Sequence, residues 1–158
     1  MNTPYPAPEH LLGPSTDLGA SMTRAAKASI VLKHISPLPM SGIEHAALPV
    51  LFAAHDQPRR VSDLAAACHL DVSTTSRQVS ALTALDLVTK QADDRDRRAQ
   101  VIAITDTGRE LVIRLREERA ARFAQILHDW DAHDIQALSG LLDRYADAVE
   151  RHLHSQGA

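Results

Sequence analysis

The chain is poor in cysteine, aromatic residues and glycine, and each shortage closes off a class of protein. Its one cysteine, Cys68, rules out an intramolecular disulfide and a thiolate-rich zinc cage, as a reducing compartment would permit. Two Phe, two Tyr and one Trp leave the core to Leu, Ala, Val and Ile, a composition that favours helix. No apolar run approaches the ~20 residues needed to span a bilayer. The N-terminus carries Pro4, Pro6 and Pro8 but no basic segment, unlike a signal peptide. Catalytic motifs are missing too: there is no Gly-rich phosphate loop, no nucleophile elbow and no His-Glu-x-x-His pair. The expectation is a soluble, cytoplasmic, mainly helical protein that is not an enzyme, with no cofactor and no membrane partner.

What is present is unevenly placed charge. The formal net charge of −3 argues against a nonspecific nucleic-acid coat, which is usually basic overall. Yet Arg95, Arg97 and Arg98 crowd one short stretch, with Lys90 just before it and Arg77 upstream. The length of 158 residues suits one domain with a sizeable core and is too short for two ordinary domains and a linker.

Residues 1–14 are Pro-rich and lack periodicity, and read as a flexible arm. Ser15 or Thr16 is then expected to cap a helix that ends at Ile35, because Ser36 precedes Pro37 and is pushed out of the helical region. Ser41 is expected to cap a second helix, with Pro49 kinking or interrupting it. Ser62 opens a short third helix, His69 to Val72 makes a turn, and Ser73 caps a fourth helix running to about Leu85. On that fourth helix Val79, Leu82 and Leu85 share one side. Ser73, Thr74, Arg77, Ser80 and Ala84 lie opposite, with Ser76 at the border and Gln78 at the margin.

Short hydroxyls allow a helix to approach DNA closely, and an arginine supplies a donor for phosphate or a guanine edge. Alone, such a face reads sooner as that of a solvated surface helix. The residues downstream of the helix shift the balance: Leu87 to Lys90 and Gln100 to Ile104 read as strands flanking the loop Asp94-Arg95-Asp96-Arg97-Arg98. Helix, turn, polar-faced helix and basic hairpin in this order make a winged helix-turn-helix, an α+β arrangement that is mainly helical with a small β-hairpin wing.

At this point the chain resembles the MarR family of bacterial transcriptional regulators, from the second helix to the C-terminus. The resemblance is carried by the Asp96-Arg97-Arg98 wing, the strand Val101-Ile102-Ala103-Ile104 and the Thr105-Asp106-Thr107-Gly108 segment after it, with Ile104 in place of the usual leucine. Asp86 stands where the family commonly has a glycine before Leu-Val. The resemblance implies that the Ser73 helix occupies the major groove, that Arg98 enters the minor groove, and that Asp96 holds the wing in shape. The DNA-contacting set is then Ser73, Thr74, Ser76, Arg77, Gln78, Ser80, Lys90, Arg95, Asp96, Arg97 and Arg98.

After Gly108 come a long helix and a final helix with a stripe of Ile135, Leu138, Leu141, Leu142, Tyr145, Val149 and Leu153. Such a stripe needs a partner. The resemblance implies a single MarR-like domain over 15–158, with dimerisation helices at 15–55 and 109–158 and a DNA-binding lobe at 56–108. It further implies a homodimer on a palindromic operator, acting as a repressor that a small-molecule effector releases. In the family small aromatic or phenolic acids bind between the dimer helices and the lobe, which here makes His34, His45 and Arg109 the polar candidates.

Two rival readings stand beside this one: a metal-responsive repressor, and a helical protein-interaction module whose basic hairpin meets an acidic partner. None of the nine histidines lies three or four residues from another, the spacing of helical ligand pairs, so no metal site is assigned. Cys68, four residues from Leu64, reads as a small hydrophobe. The family's oxidant-sensing cysteines lie near the first helix, where this chain has none.

Overall fold

Proline shapes both ends of the first helix. The computed structural model describes residues 8–36, 38–93 and 99–156, and within it α1 (Glu9–Ile35) begins directly after Pro8, whose φ of −57° is already helical. It ends as expected at Ile35, with Ser36 extended (φ −87°, ψ 116°) before the next proline. The expected flexible arm is corrected over residues 9–14, which are helical, while residues 1–7 lie outside the described part. Neither Ser15 nor Thr16 is the cap. The Thr16 hydroxyl donates to the Leu12 carbonyl at 3.0 Å, inside a helix already formed, and Pro14 is accommodated with the loss of one backbone bond.

Pro49 neither kinks nor interrupts a helix as expected; it stands at the start of one. Ser41 and Gly42 form a turn rather than a cap, with Gly42 at φ +84°. A 3-10 turn (His45–Ala47) comes next, and α2 (Leu48–Asp56) starts where Pro49 falls in the first helical turn, the place where its missing N–H is harmless. α3 (Val61–Ala67) and α4 (Val72–Ala84) make the helix-turn-helix, and β1 (Val88–Ala92) pairs antiparallel with β2 (Gln100–Ile104), Val88 opposite Ile104 and Ala92 opposite Gln100. Arg59 adds an isolated bridge to Ile102, exchanging bonds of 3.1 and 2.7 Å. α5 (Asp106–Ile126) and α6 (Ala132–Gln156) come last.

Two compact units result, Met1–Val112 and Ile113–Ala158. In the first, α2 packs against α3, α4 and β2, and Val50, Leu51, Leu64, Leu82, Leu87, Ile102, Leu111 and Val112 are almost wholly buried. The apolar residues of α2 are thus core residues of the lobe. α1 is exposed along most of its length. In the second unit, α6 is capped by Asp131, whose Oδ1 accepts the Asp134 N–H at 2.8 Å, and its apolar stripe is exposed. No described helix is long and apolar enough to cross a membrane.

The seam between α4, the hairpin and α5 is tight. Asp86 takes the left-handed conformation (φ 55°) in which the family usually has glycine. Its carbonyl accepts the Thr105 hydroxyl at 2.6 Å, and the same hydroxyl oxygen accepts the Gly108 N–H at 3.0 Å, so one side chain ends one helix and starts another. A Cβ on Gly108 would meet the Leu87 carbonyl oxygen at 2.1 Å and Ile104 Cγ1 at 2.7 Å. Gly108→Ala must push α5 off this backbone, and the expected loss is about 1–3 kcal/mol of unfolding free energy. A denaturant midpoint unchanged from the parent would contradict this packing.

Candidate nucleic-acid interface

α4 begins one turn of chain after a left-handed residue, His69 (φ 53°), which reverses the path from α3. The cap is Asp71 rather than Ser73. Asp71 stays extended (φ −73°, ψ 153°) and its Oδ1 accepts the Thr74 N–H at 2.7 Å. Ser73 lies within the helix and also donates to Asp71. Hydrogen bonds from the Ser73 and Thr74 side chains, then from the Thr74 backbone, hold the Asp71 carboxyl well below the usual carboxylate range. At α3 the expected cap is likewise displaced: Arg60 is extended at the cap position, and Ser62 is inside the helix with its hydroxyl 3.4 Å from Asp63.

The buried side of α4 is Thr75, Val79 and Leu82, a stripe at spacings of four and three. Thr75 is wholly buried and was not foreseen as core; its hydroxyl is satisfied by the Asp71 carbonyl at 3.0 Å. Leu85 is only half-buried. The opposite side exposes Ser73, Ser76, Arg77, Ser80 and Ala84. Ser80 donates back to the Ser76 carbonyl at 2.9 Å, leaving its lone pairs outward. Val72, overlooked in the sequence, adds an exposed apolar side chain at the head of the helix.

Two candidates are not placed as expected. Thr74 is half-buried, its hydroxyl 2.7 Å from Asp71 Oδ2, and Arg77 Nη2 donates to its oxygen at 3.2 Å. Gln78 is half-buried with Oε1 enclosed and unpartnered. It lines a cavity of about 320 Å³ whose other walls include Ile43, Ala47 and Leu85. At ~100° per residue, position 78 adjoins the buried stripe, which is why Gln78 turns inward rather than onto the exposed face.

On the hairpin Lys90 is exposed. Arg95, Asp96, Arg97 and Arg98 lie outside the described residues. The loop's two ends are held together by the Asp93 N–H bond to the Ala99 carbonyl at 3.0 Å. Asp93 also accepts from Arg60 through Nε (3.0 Å) and Nη2 (2.8 Å), an ion pair that ties the loop end of the hairpin to the start of α3.

The effector candidates are not gathered at the α4 cavity. Arg109 is exposed, with Nε 3.9 Å from Asp106, and His45 is half-buried on the 3-10 turn; neither lines it. The His34 side chain lies outside the described residues. Among the described residues, ligand atoms of Asp131, His133 and Asp134 come within 4.8 Å of one another, but all three are exposed and the cluster is accounted for by the α6 cap. Burial pushes the Cys68 thiol up, against a smaller opposing effect of Arg59, so it remains protonated and a weak nucleophile.

Comparison with known proteins points one way. Residues 41–99 match the model of the MarR family. The HTH-type transcriptional regulator YxaD of Bacillus subtilis is 36% identical over 87 residues, which are 55% of this chain and 61% of that protein. The alignment thus spans less than two thirds of that relative's length. Among solved structures, the transcriptional regulator BldR of Sulfolobus solfataricus superposes with a TM-score of 0.64 at 21% identity, over 87% of this chain and 99% of its own. BpsR of Bordetella bronchiseptica, whose DNA binding is regulated by 6-hydroxynicotinic acid, gives 0.60 at 25% identity, over 82% and 92%. These relatives are regulators rather than enzymes, and their fold is the winged helix-turn-helix. The stretch 41–99, which holds α2, α3, α4 and β1, is thus similar to the MarR family, and the fold of the chain is that of its winged helix-turn-helix relatives.

Proposed function

We propose that the protein is a sequence-specific DNA-binding transcriptional regulator, a repressor that sits on a palindromic operator as a homodimer and leaves it when a small-molecule effector binds. The observation that carries this reading is the exposed face of α4, where Ser73, Ser76, Arg77 and Ser80 stand free of the lobe's core in a MarR-family helix-turn-helix. In the proposed complex this face enters the major groove. Arg77 reads a guanine edge or grips phosphate, Val72 meets a thymine methyl, Ser76 bonds to a base or the backbone, and the oxygens of Ser73 and Ser80, whose protons go to Asp71 and the Ser76 carbonyl, accept from base amino groups. The Arg95 to Arg98 loop reaches the adjacent minor groove, where Arg98 meets focused negative potential, and Lys90 contacts phosphate. The net charge of −3 fits a reader that depends on placed cations rather than bulk attraction.

The dimer is supported by apolar side chains exposed to solvent. Leu18, Ile30, Val31 and Ile35 on α1 are at least half exposed. Ile135, Leu138, Leu142, Tyr145 and Val149 on α6 recur at alternating spacings of three and four, the pattern of a helix-helix seam. Two-fold pairing would cover these faces and present two α4 helices to successive major grooves. For the effector, the regulation of BpsR by 6-hydroxynicotinic acid favours a small aromatic acid, with His34, His45 and Arg109 as the polar groups to test.

Arg77→Ala is expected to lower affinity for an operator selected from a random duplex library by ~1–3 kcal/mol without lowering the melting temperature. If Arg77 reads a base, the gap to nonspecific duplex narrows; if it only grips phosphate, both affinities fall alike. Unchanged binding to every duplex would remove α4 from the interface. Arg98→Ala is expected to weaken operator binding by a similar ~1–3 kcal/mol, and equal affinities at matched salt would remove the wing. Leu142→Glu places a charge in the α6 stripe; sedimentation should then show monomers where the parent is dimeric, and a monomeric parent would overturn the assembly.

A further inference from the structure

The head of α4 holds a chain of three polar side chains whose hydrogen bonds run in one direction only. An ionised carboxylate can only accept, so the single proton of the Thr74 hydroxyl is committed to Asp71 Oδ2, at 2.7 Å. A guanidinium can only donate, so Arg77 Nη2 donates a hydrogen bond to a lone pair of Thr74 Oγ1, at 3.2 Å. Asp71 is fixed in turn by the Thr74 N–H at 2.7 Å and by the Ser73 hydroxyl. Its carboxyl is held well below the usual range, so it keeps its charge throughout the neutral region.

We propose that Asp71 and Thr74 are positioning residues for DNA recognition: Asp71 orients the Thr74 hydroxyl, and Thr74 holds the Arg77 guanidinium beside the head of α4 before DNA arrives. This rests on the reading of α4 as the DNA-facing helix. It assigns Thr74 a role other than base contact, since its proton is already used within the helix. The physical gain is preorganisation. A free arginine side chain loses several rotatable bonds on docking, whereas one tethered at Nη2 has lost part of that freedom beforehand. The anion also polarises the Thr74 hydroxyl and makes its oxygen a better acceptor for Arg77.

A plain helix-capping role for Asp71 makes different predictions, and the variants separate the two. Asp71→Asn keeps a good cap, but its amide donates towards Thr74 where the carboxylate accepted, and the charge that polarises the hydroxyl is gone. Thr74→Val keeps the shape and removes the relay oxygen, while Thr74→Ser restores it. The full-length chain would be titrated with its library-selected duplex and with a scrambled duplex, and the mobility of the Arg77 side chain would be followed by nitrogen-15 relaxation at Nε in the free protein. The proposal expects Asp71→Asn and Thr74→Val each to narrow the specific-to-nonspecific ratio by about three-fold or more, and to do so only when Arg77 is present. Thr74→Ser should recover the ratio, and Arg77 should become more mobile in Asp71→Asn and Thr74→Val. Loss of melting temperature with an unchanged ratio, or an equal effect in an Arg77→Ala background, would overturn it in favour of capping alone. If the parent prefers no duplex, the DNA reading fails and the recognition role with it. The relaxation measurement would then still decide whether Thr74 restrains Arg77.

Discussion

The approach of α5 to the end of α4 is the constraint on which the lobe depends. Gly108 lies so close to the Leu87 carbonyl that no side chain fits between them. That closeness allows the Thr105 hydroxyl to bond the Asp86 carbonyl on one side and the Gly108 N–H on the other. Asp86 accepts a left-handed conformation for the sake of this turn, an energetic cost that glycine would avoid. Because Leu87 and Val88 are buried immediately beyond it, the exit angle of α4 and the start of the hairpin are set together. The exposed face of α4 and the strands that carry the basic loop are thereby fixed with respect to each other, as the proposed reading of two neighbouring grooves requires.

The order of elements was legible because it rests on local signals: apolar spacing on α4, alternation around a charged loop, and proline at the ends of helices. What could not be read were choices between nearly equal local options that a distant contact decides. Asp71, Ser73 and Thr74 can all cap a helix, and Asp71 does so because the left-handed His69 brings the chain in extended through that residue. Arg59 pairs with Ile102, and that bridge draws Arg59 and Arg60 into extended geometry, moving the start of α3 ahead of Ser62. Neither effect has a local signature.

The candidate site divides in the same way. Exposure of Ser73, Ser76, Arg77 and Ser80 could be inferred from the buried positions at Val79 and Leu82. Thr75 escaped because a threonine counts as polar in a periodicity argument, although its hydroxyl is satisfied within the helix and its methyl suits the core. Gln78 and Thr74 sit at the edge of the stripe, where a rotation of a few tens of degrees decides between solvent and packing. The exposed apolar stripe of α6 was visible as a pattern, but a pattern shows that a partner is needed without supplying its geometry.

Specificity is a ratio, and the head of α4 bears on both of its members. On the proposed reading, the Asp71 carboxylate stands near DNA phosphates and repels every sequence alike, which lowers nonspecific affinity. The same carboxylate, acting through Thr74, holds Arg77 for a matched base and so favours one sequence. A lysine or a neutral residue at position 71 would raise attraction to any duplex while releasing the tether on Arg77. This gives a physical sense to a net charge of −3 in a DNA reader: with little bulk attraction, binding depends on the few cations that are placed, and the acidic residues are part of what places them.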